Sequence, residues 1–292
     1  MNGMTTGNPP APDELLVLGS ASAEAMPAVF CNCHFCQRAA AAGGRNVRTR
    51  TAFALGRTIR IDWGPDALAQ NRHFGLDANG LRHVFITHSH EDHLFPMDFW
   101  VRSVMTLPHD AVMRLYGNDR VLDAVGAAIG GDWPKARIIP VSMRPGDEVF
   151  LDGEALAVQA LAASHVDSEQ ALMFRFTCDR YRLLLTGDTG PFSEETMQAL
   201  SGARLSTMLI DSTWVMEDRE EGHLGLPGVA RIVAALRKSS ALQSDALIVP
   251  VHLGTGRGAL IHDDLARRLE PLGMHPAWDG MRIDLATNRI HP

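Results

Sequence analysis

The sequence predicts an α/β protein built as a two-sheet sandwich, and three observations predict it. Strand-type and helix-type segments alternate in both halves of the chain. Several of the apolar strand-type runs end directly on a His or an Asp. The 292 residues, 46% of them hydrophobic, are enough to bury one α/β core of generous size.

Taken in order, apolar and β-branched runs place strands at 15–19, 51–55, 58–62 and 84–87 in the first half. A second set falls at 156–161, 171–177, 182–186, 207–211 and 247–251. Helical patterns at 96–106, 119–129, 193–200, 228–238 and 259–272 cover the outer faces. Residues 1–12, rich in Gly, Asn and Pro, are expected to form a disordered tail before one domain over 13–292. That tail is polar, so no signal peptide is expected, and no apolar run approaches the roughly 18 residues of a membrane span. A net charge of −7 argues against broad nucleic-acid binding. The expected setting is the cytoplasm, with a small molecule as partner.

The densest chemistry is T-H-S-H-E-D-H, residues 87–93, which packs His88, His90, Asp92 and His93 together behind the strand at 84–87. Three imidazoles and a carboxylate this close make a poor core and a poor loop. They make sense as ligands, since imidazole nitrogen and carboxylate oxygen hold zinc and similar ions at roughly 2.0–2.2 Å. Pro96 then opens a helix at its first turn, which places the ligands on a loop at a strand's carboxyl end.

A second signal is Cys31-Asn32-Cys33-His34-Phe35-Cys36, within an insertion at 27–40. Three cysteines at this spacing cannot all pair as disulfides. A reducing compartment and a structural zinc held by Cys31, Cys33, Cys36 and a fourth ligand is the consistent reading. Cys178 stands apart, in a strand-like context, as a core filler.

The H-x-H-x-D-H pattern after an apolar strand resembles the signature of the metallo-β-lactamase superfamily. The resemblance implies an αββα sandwich, two mixed β-sheets flanked by helices, and a two-metal site. It implies His88 and His90 on one ion, and Asp92 and His93 on the other. A lone His, a metal-bridging Asp and a final His complete the superfamily's set; His165 in A-S-H, Asp188 in T-G-D-T and His252 after 246–251 match them in order. Two ions about 3.5–4 Å apart would lower the pKa of a shared water toward about 7, making a bridging hydroxide the nucleophile. Zinc and manganese both suit such ligands.

With the cysteine segment in front, the chain resembles more narrowly the cyclic-phosphate phosphodiesterases of the carbon–phosphorus lyase pathway, the PhnP family. These hydrolyse 5-phosphoribosyl 1,2-cyclic phosphate formed in phosphonate breakdown. L-V-L-G-S at 16–20, Pro27, I-D-W-G at 61–64, I-D-S at 210–212 and W-D-G-M at 278–281 carry the match over most of the chain. It implies a dinuclear phosphoric diester hydrolase acting on a small phosphorylated sugar, with Asp92 and His223 as catalytic residues and a homodimer as the assembly. His223, before the helix at 228–238, would protonate the leaving oxygen; the plain alternative is a solvated helix-start His. Two other readings stay open: another hydrolase of this fold, such as a lactonase, or a role like that of the B protein of pyrroloquinoline quinone biosynthesis, which has a similar knuckle.

One departure stands out. The family's fourth ligand to the cysteine zinc is a His three residues past the last active-site His, and here that place is Thr255. His262, which begins the following helix, reads equally as the first substitute candidate and as an ordinary helix-start residue, with His34 and His275 behind it. The Gly-rich loop at 254–258 serves either as an anion cradle or only as a turn, and its Arg257 either clamps phosphate or is solvated. The basic run 45–50 has the same two readings.

Overall fold

Strands form where the sequence supplies buried apolar alternation, and the computed structural model, which describes residues 9–291, assembles them into two mixed sheets. The first half supplies β1 (Glu14–Gly19), β2 (Ala52–Leu55), β3 (Ile59–Ile61), β4 (His83–Phe85), β5 (Met113–Gly117) and β6 (Ile138–Ser142). The second supplies β7 (Glu148–Leu151), β8 (Leu156–Ala162), β9 (Leu172–Thr177), β10 (Arg182–Leu185), β11 (Leu205–Asp211) and β12 (Leu242–Val251). The chain then returns to the first sheet with β13 (Arg282–Asp284) and β14 (Arg289–His291). The eight-stranded sheet runs β14-β13-β1-β2-β3-β4-β5-β6, and the six-stranded sheet runs β12-β11-β10-β9-β8-β7. In each, a parallel part (β3 to β6; β10 to β12) continues an antiparallel one.

The sheets face each other across an apolar layer of Leu15, Val17, Phe53 and Phe85 from one side and Phe174, Phe176, Leu183 and Val249 from the other. Phe85 is its hub, stacked on Tyr116 at 4.3 Å and edge-on to Phe174 at 5.2 Å and Phe176 at 5.5 Å. Cys178 is partly buried and packs against this layer, as the sequence suggests.

The helices are α1 (His34–Ala42), α2 (Ala67–Phe74), α3 (Pro96–Val104), α4 (Asp119–Ala128), α5 (Trp133–Ala136), α6 (Glu194–Leu200), α7 (Leu226–Lys238) and α8 (His262–Leu269). α7 buries Leu226, Val229, Val233 and Leu236, one stripe at helical spacing, in the cluster that holds Met208, Ile210 and Ile248. α4 buries Val121 and Val125 with Val84, Ile86 and Leu115 on the opposite outer face. Met113 is core, whereas Met97 and Met105 on and after α3 are exposed. Among the described residues, no helix is long and apolar enough to cross a membrane.

Of the tail expected over 1–12, residues 1–8 lie outside the described residues, while Pro10 is buried. The expected strands and helices all form, with ends moved by a few residues. The sequence reading misses β5, β6, β7, β13 and β14. β6 is an edge strand interrupted by Pro140, with Ile139 exposed, so it lacks the signature of a buried strand. β13 and β14 span three residues each, too few to show a period.

Two glycines fix the approach of the loops that matter. A Cβ on Gly64 would lie 2.0 Å from the carbonyl oxygen of Asp92, so only glycine lets the segment after β3 pack on the His-rich loop. Trp63 N–H donates to His93 O there, and Phe95 N–H to Trp63 O. Gly187, at φ +56°, would place a Cβ 2.8 Å from the Thr87 methyl.

Candidate metal centre

The loops leaving β4, β8, β10 and β12 meet at one end of the sandwich. After β4 the chain turns back on itself, with His93 N–H and Leu94 N–H both donating to His90 O, which swings the side chains of residues 88–93 to one side. His88, His90 and His165 form one group of converging ligand atoms, and Asp92, His93, Asp188 and His252 a second, each within 4.8 Å. His165 Nε2 is 3.1 Å from His90 Nδ1, and His93 Nε2 is 3.3 Å from His252 Nε2.

Asp188 lies between the groups and turns one oxygen to each. Its Oδ1 is 3.1 Å from His93 Nε2 and 3.2 Å from His252 Nε2, and its Oδ2 is 3.8 Å from both His88 Nε2 and His165 Nε2. All seven ligand candidates from the sequence are therefore brought together.

Two buried carboxylates orient the imidazoles, by the same device built twice. Asp62 accepts from Thr87 N–H at 2.8 Å, from Thr87 Oγ1–H at 3.0 Å and from His93 Nδ1–H at 2.7 Å; Thr87 Oγ1 in turn accepts from His88 Nδ1–H at 3.0 Å. Asp211 accepts from Thr213 N–H at 2.8 Å, Thr213 Oγ1–H at 2.9 Å, Thr189 N–H at 3.0 Å and His223 Nδ1–H at 2.7 Å. Thr213 Oγ1 accepts from His252 Nδ1–H at 2.8 Å. His165 Nδ1–H donates to Gly222 O at 2.7 Å. With Nδ1 committed to these acceptors, Nε2 of His88, His93, His165 and His252 is the nitrogen left facing the site, the one that would ligate an ion. Asp62 and His252 hold left-handed backbone, φ +60° and +58°, strain that a functional site tolerates.

The charges fit a cation. Burial alone would raise the Asp188 carboxyl, but His252, His93 and His88 together hold it well below the usual range. Asp92 behaves alike: burial raises it, and His93 and His252 pull it far lower. Burial depresses His252, yet Asp188, Asp92 and Asp211 lift it to about 9. His88, fully buried and facing His93, is pushed well down by burial. Buried polar atoms are nearly always hydrogen-bonded, and His88 Nε2 and Asp188 Oδ1 have no such partner. Two groups of N/O donors, with an orphaned imidazole nitrogen and an orphaned carboxylate oxygen aimed inward, fit two divalent ions.

Asp188, Asp211, His223 and His252 also lie close enough to suggest an ion of their own. Asp211 is already saturated by Thr189, Thr213 and His223, so this group is a hydrogen-bond network. His223 stands on the rim, one-fifth exposed, stacked 5.5 Å from His252 and edge-on to His165 at 4.7 Å and Trp214 at 5.8 Å.

Elsewhere the structure corrects the sequence reading. Cys31, Cys33 and Cys36 do converge, but His262 is not in that group. It is buried, its Nδ1 accepts from Arg48 Nη2 at 3.1 Å, and its ring meets Trp278 edge-on. The arginines of the basic run take protein partners: Arg45 is exposed and stacks on Trp278 at 3.9 Å, Arg48 is buried and donates to Ala277 O, and Arg50 is half-buried and pairs with Asp66 at 3.1 Å. The Gly-rich loop is no anion cradle, because Thr255 N–H donates to Glu24 and Gly258 N–H to Glu217. Arg257 is exposed on it.

Sequence reasoning missed the roles of Asp62, Asp211 and Glu169. The first two sit in I-D-W-G and I-D-S, visible as text but silent about function. Glu169 accepts from Ser89 N–H and Oγ–H and from Asn118 Nδ2–H, pinning the ligand loop from 80 residues away.

Two predictions arise here. Asp62→Asn replaces an acceptor of three hydrogen bonds and frees His93, so metal affinity should fall about 10–100-fold, read by competition with a chromophoric chelator. Burial, with Arg48 and Arg45 beside it, pushes His262 from 6.5 down to about 4. The unfolded chain therefore takes up a proton that the folded chain refuses between those values, and stability falls as pH drops through that window. His262→Gln keeps an acceptor for Arg48 without titrating. Its thermal midpoint should gain on the wild type as pH falls from 6.5 to 4, and a constant gap would contradict this.

A family profile described as "Beta-lactamase superfamily domain" matches residues 57–253. No curated protein sequence matches the chain. Among solved structures, a new diphosphatase from the PhnP family is similar at 20% identity, covering 92% of this chain and 96% of that one, with a TM-score of 0.72. Zn2+-bound PqqB from Methylobacterium extorquens is similar at 18% identity, over 93% and 100%, with a TM-score of 0.72. The short form of human tRNase Z is similar at 15% identity, over 93% and 99%, with a TM-score of 0.64. At these identities the likeness is one of fold.

Proposed function

From the premise that the chain belongs to the β-lactamase superfamily, we propose a metal-dependent phosphodiesterase that opens a small cyclic phosphate of the 5-phosphoribosyl 1,2-cyclic phosphate kind. One observation carries the reading: Asp188 turns its two oxygens to two separate donor groups, beside a rim histidine backed by a carboxylate. His88, His90 and His165 would hold one divalent ion, and Asp92, His93 and His252 the other, with Asp188 between. Zinc or manganese bound there supplies a water of lowered pKa and positive charge against phosphoryl oxygens.

The chain's own residues do the rest. Asp62 and Asp211 hold the imidazoles in one tautomer and one orientation, so the site is organised before substrate arrives. His223 donates its Nδ1 proton to Asp211, which leaves Nε2 to carry the mobile one. As water adds to phosphorus and the ring P–O bond breaks, that proton passes to the departing sugar oxygen, giving a monoester and a free hydroxyl. The PhnP-family diphosphatase, named for chemistry at phosphorus, supports this choice over a lactone. The free thiols support a cytoplasmic location.

The test is the full chain reconstituted with Mn2+ or Zn2+, assayed on 5-phosphoribosyl 1,2-cyclic phosphate and on bis-p-nitrophenyl phosphate, beside His90→Ala. The expected result is a kcat/KM at least about tenfold higher for the cyclic sugar, about 1.4 kcal/mol of transition-state preference, lost in the variant. Two bound ions without turnover of either ester would retain the fold and remove the function.

A further inference from the structure

We infer that the Cys31–Cys33–Cys36 knuckle is an open three-thiolate zinc site, whose fourth position is filled from solution by water or a small thiol, so that its ion exchanges. The inference does not rest on the phosphodiesterase reading.

The three sulfurs lie within 4.8 Å of one another, and among the described residues no fourth His, Cys, Asp or Glu joins them. None of the candidates for the fourth place joins the sulfurs, His34 and His275 included, and the residue at the family's position and His262 are both engaged elsewhere. Thr255 donates its amide and its hydroxyl to Glu24 Oε1, at 2.9 and 3.0 Å. His262 faces Arg48. A closed structural zinc has four protein ligands; three with one position left to solvent is the arrangement of a site that exchanges ligands.

The local fold holds the sulfurs together with two of the three cysteines exposed. Cys33 caps α1 and accepts the Cys36 N–H at 3.4 Å, which fixes the relation of those two sulfurs. Cys31 N–H donates to Ala28 O, which closes the turn on the other side. Cys36 is buried, while Cys31 and Cys33 are exposed, so solvent reaches the cluster from one face. Disulfide formation would always leave one sulfur over. Thiolates select zinc over manganese or magnesium, so this site and the imidazole–carboxylate centre sort different ions.

The test uses the full-length protein, stripped of metal, kept reduced with a phosphine and titrated with Co2+. Sulfur-to-cobalt charge transfer in the near ultraviolet reports the knuckle alone, because imidazole and carboxylate ligands do not produce it. One equivalent should develop the band. Added 2-mercaptoethanol should shift and intensify it as a fourth sulfur enters, and zinc-loaded protein should lose this ion to a chromophoric chelator within minutes. Cys31→Ser should weaken the band while circular dichroism stays unchanged. No band at one equivalent would overturn the proposal. So would a band that thiol does not move with an ion held for hours, since that is a site closed by a fourth protein ligand.

Discussion

Asp188→Asn should bind at most one divalent ion per chain at the histidine centre and lose at least about 10³-fold in kcat/KM. The geometry sets that expectation. Asp188 has an oxygen toward each donor group, 3.1–3.2 Å from the His93 and His252 nitrogens on one side and 3.8 Å from those of His88 and His165 on the other. Asparagine removes the charge and turns an N–H2 toward one group. An ion's contribution to transition-state charge is several kcal/mol, and about 4 kcal/mol corresponds to about three factors of ten. Elemental analysis after dialysis reads the stoichiometry, and circular dichroism shows that the chain still folds. Two ions and near-normal turnover in this variant would contradict the bridging role.

His223→Ala should separate chemistry from metal binding. His223 donates to Asp211 and stands on the rim, outside both donor groups. Ion content should stay unchanged while kcat falls about 10²–10⁴-fold, the usual worth of a positioned general acid. The loss should depend on the leaving group. An alkoxide from a sugar needs the proton, whereas p-nitrophenolate leaves without it, so the variant should remain far closer to wild type on bis-p-nitrophenyl phosphate. An equal loss on both substrates would assign His223 a structural role. Loss of an ion would make it a ligand.

What the sequence disclosed follows from how local each signal is. His88, His90, Asp92 and His93 were readable because a tight turn after a strand draws ligands from neighbouring positions, and their density has no other use. His165, Asp188 and His252 are single residues at strand ends, legible only as an ordered set. Asp62 and Asp211 could not be read as orienting groups, because what each orients is decided by tertiary neighbours. Thr87 reaches Asp62 only because β4 lies parallel to β3, and His223 reaches Asp211 through a loop. Glu169 belongs to the same class.

His262 shows the opposite error. A histidine opening a helix reads the same whether a thiolate or a guanidinium faces it, and here folding brings Arg48. The basic run 45–50 is hard to read for the same reason, since it is folding that seats Arg48 and Arg50 against Ala277 and Asp66 and leaves Arg45 exposed over Trp278. Among the strands, buried apolar runs such as β11 announced themselves, while the edge strand β6 and the short β13 and β14 depend on pairing partners far along the chain.

The central claim is that two ions share the Asp188 carboxylate, and anomalous diffraction from crystals grown with zinc or manganese tests it most directly. The account predicts two peaks about 3.5–4 Å apart at the end of the sandwich, one against His88, His90 and His165 and the other against Asp92, His93 and His252, with Asp188 touching both. A single peak there, or two peaks with Asp188 bound to only one, would contradict it.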